Sequence, residues 1–317
     1  MRTLLLLFCA LAVWGCYPQQ QQHDPKVLLA METYAFLKGQ GAALKKAARQ
    51  FPAFAKEAAD LQQKAQAVFG KAEKNAELFL RQQLADPQFS SFQKHIDSLI
   101  NQQLRHPIEK KEYAAKFLQA VKDKIGFSPA APLPKGLLAF AYHDAPHQEI
   151  IDGHTVKFST KGHPKADQSV VVLLIPKSWE AQEAQMPAAV QQFTSCEGKG
   201  NEKILIVIHD LPQEYQNLAL NEKSMQEMIP PQSRLIRTEP VTIDDMPGIM
   251  AEIEEILDEP QKNMKVRMLQ FMAASGGKLY CVQGSIGPAA AYQNLDHQLR
   301  KYEPLFRMVA QAARIEN

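Results

Sequence analysis

Four of the nine histidines, His143, His147, His154 and His163, fall within 21 positions, beside Asp144 and Asp152. Imidazole nitrogens with a carboxylate could hold zinc or copper, which makes a metal or small-ligand carrier one reading of the chain. Pro146 breaks the helical pairing that would join His143 to His147, and the spacing fits no metal motif. A surface loop is therefore expected, with no metal and no cofactor assigned. His209-Asp210 could supply a general base and its orienting carboxylate. Adjacent strand residues point to opposite faces, however, which argues against that partnership. Glu252, Glu254, Glu255, Asp258 and Glu259 could attract calcium, but they lack the glycine-centred loop such sites use. They read as a solvated strand edge, charged against aggregation. The chain has no phosphate-cradling glycine loop, no dinucleotide fingerprint, no zinc-protease helix and no nucleophile elbow. No catalytic residue is assigned, and a hydrolase with an unrecognised site stands only as an alternative.

The four cysteines divide by position. Met1-Arg2-Thr3 supplies a positive charge, Leu4 to Val13 is an unbroken apolar run, and Trp14-Gly15-Cys16 precedes Tyr17-Pro18 and four glutamines. A charged start, an apolar core and a small residue at the cut make an export signal, too short to span a bilayer. Val13-Trp14-Gly15-Cys16 resembles a bacterial lipobox, with Trp14 where a small residue is usual. Gly15 gives a peptidase access to the bond, and the Cys16 thiol would form a thioether with diacylglycerol. Residues 1–15 are thus expected to be a signal peptide and 16–25 a polar tether. In lipoproteins of this kind the residue after the cysteine helps sorting, and Tyr17 favours the outer membrane, facing the periplasm. Cys9 leaves with the signal. Cys196 and Cys281 remain, either joined in a disulfide, as an oxidising compartment allows, or standing as two buried thiols.

Two regions of different composition must position whatever acts. Residues 26–126 hold 18 alanines and only 8 Val, Ile and Thr, whereas 127–317 hold 29 of those three types. Alanine favours helix, and β-branched runs broken by Gly and Pro favour strands. Phe54, Ala58, Leu61, Ala65, Val68, Ala72 and Phe79 form one seam of a long helix. Stripes at Phe89, Phe92, Ile96 and Leu99 and at Tyr113, Phe117, Val121 and Ile125 mark two more. With a helix near 26–48, an antiparallel bundle of about four helices is expected. Its 17 basic and 10 acidic residues include Lys45, Lys46, Lys56, Lys64, Lys71 and Lys74, which fall mainly off the seam. Those lysines are a solvated face, or one turned to anionic lipid or cell-wall polymer. A net charge of +2 for the whole chain argues against nucleic acid as a partner.

Residues 127–168 read as a proline-rich linker and first strands, and 169–317 as an antiparallel sheet flanked by helices. Strands are predicted at 169–175, 204–208, 234–243 and 248–257, with a hairpin of 266–273 and 278–286 across Ser275-Gly276-Gly277. A helix is predicted over 213–228, and another over 292–315, kinked or restarted at Pro304. The class is α+β.

Ile175-Pro176-Lys177-Ser178-Trp179, Met246-Pro247-Gly248, the hairpin ending Lys278-Leu279-Tyr280-Cys281-Val282 and the final amphipathic helix resemble the DcrB and PsbP-like group over residues 169–315. The resemblance implies an α/β/α sandwich and a non-catalytic protein, since members are exported lipoproteins, photosystem accessory subunits or adaptors for proteins and hydrophobic helices. The expectation is a lipid-anchored envelope protein, not an enzyme, that binds the membrane through Cys16 and engages an envelope protein.

Overall fold

The computed structural model describes residues 24–126, 135–184, 189–213, 219–231, 233–259 and 262–316. The expected signal peptide, Gly15, Cys16, most of the tether and the proline-rich stretch 127–134 lie outside the described residues. The chain divides into two compact units, one ending at His143 and the other running from Asp144.

The first unit is helical. Helix α1 is Pro25–Gln50, α2 Ala55–Gln83, α3 Asp86–Arg105, α4 Lys111–Ile125 and α5 Lys135–Ala141. Asp24 caps α1 by accepting from Lys26 N at 2.7 Å, and Pro25 suits the first turn, where no backbone donor is needed. Helix α3 starts the same way at Asp86-Pro87, with Gln88 Oε1 accepting from Ala85 N at 3.1 Å.

The buried line of α2 is Ala58, Leu61, Ala65, Phe69, Ala72, Ala76 and Leu80. It follows a helical period slightly above 3.6, so it drifts off the near-heptad seam predicted from the sequence. Phe69 and Leu80 take the core positions expected for Val68 and Phe79, which end half-buried. Leu44, Ala58, Leu61, Leu118 and Val121 close the core between α1, α2 and α4. Phe89 and Phe92 of α3 pack on Tyr34 of α1.

Two long-range ties fasten the end of α1 to the end of α3. Lys46 Nζ donates to the carbonyls of Leu104 at 2.9 Å and of His106, and Gln50 exchanges two hydrogen bonds with the backbone of Ile108. A cation at the carbonyl end of a helix is favourable and fills acceptors that the helix itself cannot. The fifth helix departs from the expected linker. Leu137, Leu138 and Phe140 are buried, and Asn75 Nδ2 donates to Phe140 O at 2.9 Å, so this short segment belongs to the helical unit.

Among its described residues the second unit contains α6 (Gln148–Ile151), α7 (Glu222–Met228), α8 (Asp296–Gln311) and ten strands. Strands β3 (Glu180–Gln182), β4 (Ala189–Thr194), β5 (Glu202–Asp210), β6 (Ser233–Ile243), β7 (Met246–Glu259), β8 (Lys262–Ser275) and β9 (Lys278–Ala290) form a sheet ordered β3-β4-β5-β9-β8-β7-β6. Strands β1 (Thr155–Ser159), β2 (Val170–Pro176) and β10 (Arg314–Glu316) form a smaller one ordered β1-β2-β10. Every pairing is antiparallel. The α+β class and the antiparallel sheet flanked by helices are as the sequence predicts.

Strand β5 explains its own apolar run. Ile204, Ile206 and Ile208 enter the core that holds α8, while Leu205 and Val207 enter the core on the other face, which holds Met225 of α7. A strand covered on both sides needs apolar residues at consecutive positions. Gly284 of β9 lets α8 settle onto the sheet, since a Cβ there would lie 2.1 Å from the ring of Phe306.

Helix α8 runs through Pro304 as one element. Beyond it the predicted helix gives way to β10, whose Ile315 pairs with Val171 and donates its N–H to Asp244 Oδ2 at 2.7 Å. The described part of the predicted 213–228 helix is α7 alone, which is much shorter.

Candidate functional site

The histidines do not converge. His143 belongs to the helical unit, where its ring stacks on Phe140. His147, His154 and His163 belong to the other. His163 Nδ1 accepts from Lys165 N at 3.2 Å, and His147 Nδ1 is buried with no partner among the described residues. Burial, aided by Lys177, lowers the pKa of His154. Among the described residues no three His, Cys, Asp or Glu side chains are grouped to hold a metal. Asp210 does not orient His209. Its Oδ1 meets Lys278 Nζ at 2.8 Å, alongside Asp167 at 2.9 Å.

Glu252 and Glu254 do not lie on the solvated edge expected of the acidic run, while the side chains of Asp258 and Glu259 lie outside those described. Strand β7 lies between β6 and β8, so its inward carboxylates need partners. Glu252, 3% exposed, receives Arg237 Nε and Arg267 Nη2, each at 2.5 Å. Arg267 also reaches Glu254 at 3.1 Å and Asp296 at 3.2 Å, while Arg237 continues to Glu303 at 2.8 Å. Glu303 and Glu239 then share Arg307. These charges form a lattice tying β6, β7 and β8 to α8. Burial opposes ionisation of Glu254 and Glu303, but their cationic partners hold both pKa values below the ordinary carboxylate range.

A second polar cluster went unrecognised in the sequence because its members are scattered from residue 149 to 302. Glu149 of α6 is 2% exposed and accepts from Ser178 N at 2.8 Å and Ser178 Oγ at 2.6 Å. Burial pushes its pKa up to about 7, against the pull of those hydrogen bonds and of Lys177. Glu202 of β5 is 1% exposed, accepts from Gln298 Nε2 at 2.6 Å and meets Ser195 Oγ. Between the carboxylates lies Tyr302 of α8, its hydroxyl raised well above its ordinary pKa by burial and then by Glu202. A left-handed turn at Cys196 (φ 52°) and Glu197 (φ 59°) turns Glu197 N to Ser178 O at 2.8 Å. Gly200 closes the turn where a Cβ would lie 1.8 Å from Ser195 Oγ. Ser195 beside Glu202 has the composition of a nucleophile and base, but both are sealed in the core, and a substrate could not reach them.

Cys196 and Cys281 are buried thiols not joined to each other. Cys281 lies in the core under α7, and burial raises its pKa to about 12. Cys196 is buried near Tyr302, which belongs to the core on the opposite face of the sheet.

The helical unit, in contrast, is open. A groove of about 660 Å³ runs between α1, α2 and α3. Lys38, Lys45, Lys46 and Arg49 enter it from α1, with Glu73 of α2 and Asp97 of α3 facing them. Lys38 is paired with Glu73 at 2.9 Å, which raises its pKa, and Lys46 is held on the carbonyls of α3, where burial lowers its pKa. Lys45 and Arg49 stay exposed. Gln62 and Gln66 bring amides into the wall, and Gln62 Oε1 is screened from solvent without a donor among the described residues. Of the six lysines singled out in the sequence, the structure brings only Lys45 and Lys46 into this groove. Arg49 was not singled out, although it lies four residues beyond Lys45 on the same helical face. A second, more apolar groove beside it is lined by Leu44, Ala48, Ala55, Ala58 and Ala59.

No protein-family model matches the sequence, and no curated protein is similar to it. Solved structures match part of the chain at low identity. Cyanobacterial PsbP (CyanoP) from Synechocystis sp. PCC 6803 is 16% identical with a TM-score of 0.36, over 51% of this chain and 93% of that one. LpqN, involved in cell envelope biogenesis of Mycobacterium tuberculosis, is 11% identical with a TM-score of 0.32, over 55% of this chain and 98% of that one. The Ran-binding protein Mog1p of Saccharomyces cerevisiae is 6% identical with a TM-score of 0.31, over 50% of this chain and 95% of that one. Scores of this size carry no functional inference. The α+β class rests on the strand order itself.

Proposed function

We propose that this chain is a lipid-anchored binding protein of the bacterial cell envelope, held through Cys16 in the outer membrane and facing the periplasm. It engages another envelope component without covalent chemistry. The observation that carries the reading is the apolar run Leu4 to Val13 closed by Gly15-Cys16 and followed by a polar tether. No helix among the described residues is long and apolar enough to cross a membrane, so attachment in this reading falls to the acyl chains. The non-catalytic part draws on the sheet unit. Its buried carboxylates Glu149, Glu202 and Glu252 are each held by neighbouring side chains, and Ser195 and Glu202 are 2% and 1% exposed.

Replacing Cys16 by Ser and fractionating the cells tests the anchor. The variant is expected in the soluble periplasmic fraction with altered processing, and unchanged membrane retention would overturn the reading. Crosslinking the native protein in the envelope then identifies what it engages. Loss of a measurable turnover in a well-folded Ser195→Ala variant would instead establish the hydrolase.

A further inference from the structure

We infer that the groove between α1, α2 and α3 binds an acidic glycan of the envelope, a sugar chain carrying carboxylate or phosphate groups. The inference rests on the envelope reading above and names the ligand of its helical unit. At about 660 Å³ the groove has the size of a small-ligand site. Its chemistry is mixed in a way that limits the occupant. Lys45 and Arg49 lie four residues apart on one face of α1 and have no ion-pair partner among the described residues, so they are available to an anion.

The opposite wall asks for donors. Gln62 Oε1 is screened from water and has no hydrogen-bond partner among the described residues, so it is placed to accept from a ligand hydroxyl or amide N–H. Asp97 adds an exposed acceptor. Ile100 and Leu104 give the same groove an apolar strip, against which the C–H face of a sugar ring can lie. An inorganic anion would satisfy the cations and leave the acceptors unpaired. A bilayer surface is flat, whereas these groups line a recess. An acidic sugar supplies anionic oxygen, hydroxyl donors and an apolar face together.

Gly41 keeps the groove open at its floor. A Cβ built at Gly41 would meet only the Gln62 amide, at 3.5 Å, outside its own helix. A larger side chain at Gly41 therefore blocks the groove without changing its charge.

Calorimetric titration of the full chain in detergent, with oligogalacturonate as the acidic probe and galacto-oligosaccharide as the neutral one, tests the inference. Binding is expected for the acidic probe alone. Lys45→Ala with Arg49→Ala, and separately Gly41→Leu, should each weaken it by about tenfold or more. Lys64→Ala with Lys71→Ala removes the same charge outside the groove and should change affinity by no more than about twofold. Circular dichroism confirms that each variant is folded. Equal loss in the Lys45/Arg49 and Lys64/Lys71 variants, or no effect of Gly41→Leu, overturns the inference. So does phosphatidylglycerol vesicle binding that Gly41→Leu abolishes while the acidic probe fails to bind. Absence of glycan binding in a chain that still fractionates with membranes through Cys16 would remove the groove assignment and leave the envelope reading standing.

Discussion

The two units bury opposite kinds of groups. The helical unit's buried polar side chains are neutral, namely Thr33, Gln40 and Asn75. The sheet unit buries Glu149, Glu202, Glu252 and Arg267. The contrast follows from geometry. An alanine-rich helix leaves its lysines on the outside, because only a narrow stripe faces the core. A seven-stranded sheet covered on both faces draws in whatever stands at its inward positions, and a charge caught there must be paired. The helical unit therefore has its charge available to a partner, while the sheet unit consumes its charge in holding itself together.

The largest expected effects probe this contrast with one truncation in each unit. Glu252→Ala leaves Arg237 and Arg267 short of their shared carboxylate and should cost the sheet unit about 3–5 kcal/mol. Phe92→Ala removes a fully buried ring of α3 and should cost the helical unit about 3–5 kcal/mol. Trp179 is the sole tryptophan beyond Trp14 and is buried in the sheet unit, so its fluorescence follows that unit in urea while far-ultraviolet dichroism follows the helices. Each variant should move one transition. If either moves both, the units share one core and the contrast fails.

Acidity should come next. The raised pKa of Glu149, about 7 against an ordinary 4.5, means the folded sheet unit keeps a proton that the unfolded chain releases. Its contribution to stability is full below pH 4.5 and declines as pH rises through about 7. The decline amounts to at most about 3 kcal/mol. His154 works the other way, since its lowered pKa favours the folded state above its ordinary value of 6.5. The urea midpoint read by Trp179 should fall between pH 5 and pH 8, and Glu149→Gln should flatten that fall. A midpoint that rises with pH would show Glu149 to be charged in the folded state.

Gly284→Ala should destabilise the sheet unit by about 1–3 kcal/mol, because the new methyl meets the ring of Phe306. The smallest effect concerns the other unit. Gly41→Ala sits within α1 in ordinary contact with Gln62 and should raise helical-unit stability by about 1 kcal/mol. A thermal melt followed at 222 nm checks both, the first in company with the Trp179 signal.

Much of the frame could be read from periodicity. The stripes at Phe89–Phe92–Ile96 and the apolar runs of β2 and β5 carry their own signal, since burial on one helical face or on both sheet faces leaves a pattern in the residues. Helix α5 does not, because seven residues after a proline-rich stretch are too few to show a period. Strand β10 was hidden for the same reason. Glu252 and Arg267 looked like surface charges because a sequence records residue type but not depth. The Glu149–Tyr302–Glu202 cluster assembles from three separate elements, α6, α8 and β5, and has no local spacing to find. In the groove, the lysines were visible, but their division into tied and available ones depends on where α3 ends.

The pairing of β10 with β2 also bears on the order in which the chain can complete itself. Val170, Val171 and Val172 of β2 find their partners at Glu316, Ile315 and Arg314. A chain threaded through a membrane from its amino end presents this valine-rich strand long before those residues arrive. Strand β1 can cover one side early, since Ser159 already lies opposite Val172. The other side stays open to any passing strand until about 140 more residues have been delivered. Under the export reading proposed above, that edge would be the one left open, and a periplasmic holdase that recognises short aliphatic strands would find its purchase there.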